Sequence, residues 1–236
     1  MPRLSAGAVS LRTRSTRAPA SAIPVAGASM PKLDPARYPR AATYVGRLTE
    51  GVSSFPSCWM NRHVLEHVGE DFPDLGKDAS LPPALADFFA ERVAGEWIPE
   101  AAGNAIYLMI RDRCFHDDVA FRAWNQKNID RLIRNPIFRA IMVLLSPSLV
   151  VMGAGKRWGS FHQGTEMTTE PMGQAGGRMQ VRATLTYPPG LYDELLLQLH
   201  CSTFLAALVA THATDPDVRL GAVTPGKAEY LASWQR

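Results

Sequence analysis

"GGRMQVRATLTYPPGLYDELLLQLHCSTFLAALVATHA", residues 176–213, decides the fold class, because its periodicity changes halfway along. From Met179 to Tyr187 the residues alternate. Met179, Val181, Ala183, Leu185 and Tyr187 face one way, and Gln180, Arg182, Thr184 and Thr186 face the other. That is the period of a half-buried strand, with Gly176-Gly177 supplying the turn ahead of it. Beyond Pro188-Pro189-Gly190 the apolar residues recur at helical spacing, and "LYDELLLQLHCSTFLAALVATHA" reads as a strong amphipathic helix. Downstream, "DVRLGAV" and "KAEYLASW" read as two final strands. Upstream, "TEMTTEPM" alternates more loosely, as a further strand.

The first part of the chain is helical in pattern. "SSFPSCWMNRHVLEHV" offers Ser57 as a cap before a periodic run, and "LPPALADFFAERV" places prolines at a helix start. "EWIPEAAGNAIYLMIRDRCF" carries Ala102, Ile106, Met109 and Ile110 as a stripe. "HDDVAFRAWNQKNIDRLIRN" has Asp117 or Asp118 as cap and turns Phe121, Trp124, Ile129 and Leu132 inward. "PIFRAIMVLL" suits a central buried helix, and "SPSLVVMGAGKRWGSFHQG" another, with Pro147 in its first turn. Helices first and antiparallel strands last predict an α+β fold: a helical N-terminal part packed on a small antiparallel sheet with one long crossing helix. A doubly wound sheet is excluded by the lack of strand–helix alternation. "GAGKRW" lacks the glycine loop and hydroxyl of a phosphate-binding turn, and no Gly-x-Ser-x-Gly elbow occurs.

The charge is uneven. The chain of 236 residues has 25 Lys and Arg against 22 Asp and Glu, a formal +3. Five basic residues (Arg3, Arg12, Arg14, Arg17, Lys32) precede the first acidic one, Asp34. The rest therefore holds 20 basic against 22 acidic residues, and its balance offers no nucleic-acid surface. Residues 1–35, rich in Ala, Ser, Arg and Pro, are expected to be a disordered basic tail, unless residues 1–29 precede a true start at Met30. Residues 36–236 are expected to form one domain, with order beginning near Tyr38. No apolar stretch is long enough for a membrane span. Cys58, Cys114 and Cys201 form no close pair, which points to reduced thiols and a cytoplasmic setting.

Several clusters could carry chemistry. "HVLEH", 63–67, has the spacing of an inverted zinc-protease motif: on a helix, His63 and His67 share a face and Glu66 could polarise a bound water. A third ligand is missing, since no glutamate lies between Glu100 and Glu166, so no metal is expected. In "CFHDD", 114–118, the aspartates are read as helix caps. In "EWIPE", 96–100, two carboxylates four apart could do acid–base work, but a helix N-terminus already favours negative charge there. His200 falls at helical spacing from Leu196, Leu197 and Phe204, as a core or cavity-lining histidine. "RWGSFHQGTE", 157–166, joins the helical part to the sheet. It combines Trp158, Phe161 and His162 where a concave apolar pocket forms between layers.

As a set, "WIPE", "FRAWNQKNIDRLIRNPIFRAIMVLLSPSLVVMGAGKRWGSFHQGTEM" and "LTYPPGLYDELLLQLHCSTFLAAL" resemble a myxobacterial paralogous family with no assigned activity, over roughly residues 45–234. That family looks like distant kin of the heme-nitric oxide binding, vinyl-reductase-like and trafficking-adaptor group of ligand-binding domains. The resemblance implies a helical part with a small sheet enclosing an apolar ligand. The heme branch's Tyr-x-Ser-x-Arg clamp is absent and no histidine takes the proximal role, so no cofactor is expected. What the resemblance leaves is a pocket walled by Trp158, Phe161, His162, His200 and Phe204, with help from Trp97 and Trp124. The expected partner is a small apolar or aromatic molecule, in a sensory or accessory role. The alternatives are an enzyme, either a metal-free biosynthetic catalyst or a zinc hydrolase through His63, Glu66 and His67, and an interaction module or homodimer with an exposed apolar face.

Overall fold

The computed structural model describes residues 33–89, 95–134, 147 and 153–235. The fold is α+β, with helices in its N-terminal part and two antiparallel sheets. The predicted helix over 136–145 lies outside the described residues.

The larger sheet is built as the alternation predicts. It contains β4 (Glu166–Ala175), β5 (Arg178–Thr186), β6 (Thr214–Thr224) and β7 (Lys227–Gln235), in the spatial order β4-β5-β7-β6. Gly176 and Gly177 both take positive φ between β4 and β5, as a tight hairpin turn requires. On β5, Val181, Ala183 and Leu185 are buried, and so is Tyr187 just beyond it. Between β5 and β6 runs α7 (Glu194–Ala210), which packs on α5 (Asp118–Arg134) and on β6. The Asp193 carboxylate caps α7 by accepting from the Leu196 amide at 2.9 Å.

The helical part holds a second sheet, where the periodicity predicts only helices. Its strands are β1 (Trp59–Asn61), β2 (Trp97–Pro99) and β3 (His162–Gln163), ordered β2-β1-β3. The helices are α1 (Pro39–Gly46), α2 (Val68–Asp71), α3 (Pro83–Phe89), α4 (Glu100–Cys114) and α6 (Ala154–Trp158); α4 packs on β1 and β2, and α1 and α3 pack on α4. Strands of two or three residues are too short to show a period, so pairing across the fold overrides the local pattern. Of the helix expected over 146–164, the described residues show Pro147 as helical and α6 at Ala154–Trp158, after which the chain turns into β3; 146 and 148–152 lie outside the described residues.

Order reaches further back than Tyr38: Leu33 is already in the core. Tyr38 is buried and donates to Asp78 at 2.6 Å. A buried polar knot ties the helices together: Tyr44 and Asn104 both donate to the Leu191 carbonyl, at 2.8 and 2.9 Å. The four predicted stripe residues of α4 are all buried. Asp117 caps α5 by accepting from the Ala120 amide at 2.8 Å. No helix among the described residues is long and apolar enough to cross a membrane.

Candidate functional site

The small sheet assembles the site. Met60 on β1 pairs with Ile98 on one side and His162 on the other, so the end of β2 and the start of β3 lie close together. Pro99 ends β2, and Glu100 is the first residue of α4, where the exposed amides of the helix end favour a carboxylate. Gly164 fixes the other side. Its φ is +75°, and a Cβ there would stand 2.2 Å from the Ser57 carbonyl oxygen, so only glycine allows β3 to leave along this path.

The result is a fully buried Glu100 facing a buried His162. His162 Nδ1 lies 3.0 and 3.1 Å from the two carboxylate oxygens, and the Tyr192 hydroxyl donates to Oε1 at 2.8 Å. An ionised carboxylate only accepts, so Nδ1 carries the proton and the orientation of the ring is set. Burial, and then the charge of Glu100, push the Tyr192 phenol well above its ordinary range, which keeps it a donor. The Trp158 indole stacks on the His162 ring at 4.0 Å between centroids, with its own N–H donated to Thr165 at 2.8 Å.

His200, on α7, meets Trp158 edge-on at 5.1 Å. Its Nδ1 is 3.0 Å from the Tyr230 hydroxyl, which itself donates to the Leu197 carbonyl at 3.2 Å. Burial, followed by the neighbouring His162, depresses the His200 imidazole to about 3. It is therefore neutral at ordinary pH. The ring surface that stays uncovered lines a chamber of about 30 Å³ shared with His162, Asn104, Asn125 and Thr203.

Beside this chamber lies a cavity of about 270 Å³, between α5, α6, α7 and the inner face of the larger sheet. Ile129, Leu132, Val181, Ala183, Phe204 and Ala207 make much of its wall, with Trp158, Phe161, His162 and Tyr230 adding rings and Arg157 a charge. Of the residues expected around a pocket, Trp158, Phe161, His162 and Phe204 thus line this cavity, and His200 lines the chamber. Trp97 and Trp124 line neither. Trp97 lies on β2. Trp124 packs in an aromatic cluster with Phe72, Phe115 and Phe121 and donates to Asp71 at 2.7 Å, so its surface is spent on core packing.

The helix that "HVLEH" requires does not form. Residues 62–65 make a 3₁₀ turn and α2 starts only at Val68, so the two imidazoles are not one α-helical turn apart. Each has its own carboxylate, His63 near Glu66 at 3.6 Å and His67 near Glu70 at 3.2 Å. Among the described residues no three His, Cys, Asp or Glu side chains gather as a metal site. In "CFHDD", Asp118 pairs with Arg111 at 2.5 Å and with Arg40 at 3.3 Å.

In the sequence Glu100 is a helix-end carboxylate; nothing in its spacing places it with His162, and Tyr192 and Tyr230 carry no pattern of their own. A signal existed: Glu100 opens a run of small and apolar residues, and a carboxylate in such company needs a partner. Comparison of the chain with family models, with curated proteins and with solved structures finds no match.

Proposed function

We propose that the protein binds a small apolar molecule in the cavity between α5, α7 and the larger sheet. The observation that carries this is the cavity itself: about 270 Å³, with a mostly apolar wall and few polar groups. A close-packed interior keeps few voids larger than a water, so an apolar space of this size is suited to a ligand of one or two rings. Native mass spectrometry of protein purified from its own host tests it. The expected result is an organic adduct of defined mass that is lost in Ala207→Phe, which fills the cavity. A ligand-free mass for the wild type, together with no uptake of added propylbenzene, would overturn it.

A second reading is favoured by one feature. His162 is held by a carboxylate in the manner of a general base, with its other nitrogen unspent on Glu100. Turnover of the bound molecule, abolished in His162→Leu while binding persists, would make the protein an enzyme acting without a metal.

A further inference from the structure

We infer that the molecule bound in the cavity carries a neutral hydroxyl of phenol type, which donates its proton to Nε2 of His162. This rests on the reading of the cavity as a ligand site and names the class of ligand it takes.

The proton on Nδ1 decides what the other nitrogen can do. Glu100 and His162 are both buried, and Nδ1 is within hydrogen-bonding distance of both carboxylate oxygens. The carboxylate is in turn held by Tyr192 at 2.8 Å and by its place at the start of a helix of 15 residues. With Nδ1–H committed to Glu100, an imidazole in this tautomer presents Nε2 as an acceptor, and the ring lines both the cavity and the chamber. Trp158, stacked on one face at 4.0 Å, holds the ring against rotation.

Charge narrows the ligand further. A carboxylate ligand would bring its negative charge towards an acceptor nitrogen backed by Glu100. An ammonium or a carboxylate would also lose its hydration to a mostly apolar wall, whereas a neutral O–H loses little once it is paired. The rings of Trp158, Phe161, Phe204 and Tyr230 favour an aromatic frame for that hydroxyl. The Tyr230 hydroxyl is already engaged with Leu197 and His200, which leaves His162 the stronger acceptor.

The test compares 4-propylphenol with propylbenzene, two probes of one shape that differ by the hydroxyl, by titration into the full chain. The wild type is expected to bind the phenol about tenfold tighter, the size of one neutral hydrogen bond. In His162→Leu the hydroxyl loses its acceptor, and the order is expected to reverse while propylbenzene still binds. Because His162→Leu leaves a buried carboxylate unpaired and can fail to fold, the wild type is also read by nitrogen NMR of labelled histidine. The Nε2 resonance is expected at an unprotonated position and to move with the phenol but not with propylbenzene. Equal binding of the two probes, a preference kept in His162→Leu, or a protonated Nε2 would each overturn the assignment while leaving the cavity a ligand site. Failure of both probes to bind would instead remove the ligand reading on which it rests.

Discussion

His200 and Glu100 answer differently to burial. In an unfolded chain His200 takes up a proton near 6.5, and in the fold only near 3. Between those values the unfolded state holds the extra proton, so stability falls as the pH drops through this window, by at most about 1.4 kcal/mol per unit. Above 6.5 the group costs nothing. Urea titrations from pH 7 to 4 are expected to show a shallower loss for His200→Gln than for the wild type. Glu100 is buried because it is partnered, and cutting the partner away leaves a bare charge. His162→Leu is expected to lower stability by about 3–5 kcal/mol, and Glu100→Gln,His162→Leu by less, because the charge is then gone. A double-mutant cycle by chemical denaturation measures the difference.

Among the elements, those with a long repeat were the legible ones. β5 and α7 announce themselves because nine strand residues and 17 helix residues give several periods each. β1, β2 and β3 give none, and "HVLEH" has helical spacing without a helix because the chain is drawn into a strand at 59–61 just before it. The same blindness hid half of the site. The aromatic segment around Trp158 and His162 stood out on composition, but the partner of His162 sits on another element, and only the pairing of β1 with both neighbours brings them together. For Trp124 an aromatic ring on an inward face was equally consistent with core and pocket, and packing against Phe121 decided it. Two substitutions probe the elements. Gly164→Ala forces a side chain against the Ser57 carbonyl at a positive φ and is expected to lower stability by about 2–3 kcal/mol, read by thermal melting. Asp193→Ala removes the cap of α7 and should cost about 1 kcal/mol in the same measurement.

For the whole molecule, the site draws Glu100, His162 and Tyr192 from well-separated stretches of chain, and the cavity adds walls from both layers. No part of the fold could present it alone. A ligand that recognises this arrangement has no affinity for partly folded chains, so it raises the stability of the parts that form the site by mass action, by about 2.7 kcal/mol at a hundredfold excess over Kd. Cavity-binding probes should therefore shift one cooperative melting transition upward, which scanning calorimetry with 4-propylphenol would show.

The central place of β1 has a kinetic corollary. A strand of three residues must capture one neighbour about 40 residues later and another about 100 residues later before the pair at its flanks can meet. Closing such long loops is slow; in the larger sheet the hairpins β4-β5 and β6-β7 join close neighbours, and the β5-β7 seam spans only about half the separation of β1 from β3. During synthesis β1 could pair with β2 first, but its other edge would stay open until β3 had been made. The last step of folding would then be the one that creates the site, so that refolding followed by intrinsic fluorescence of Trp158 would lag behind the gain of β-structure seen by circular dichroism.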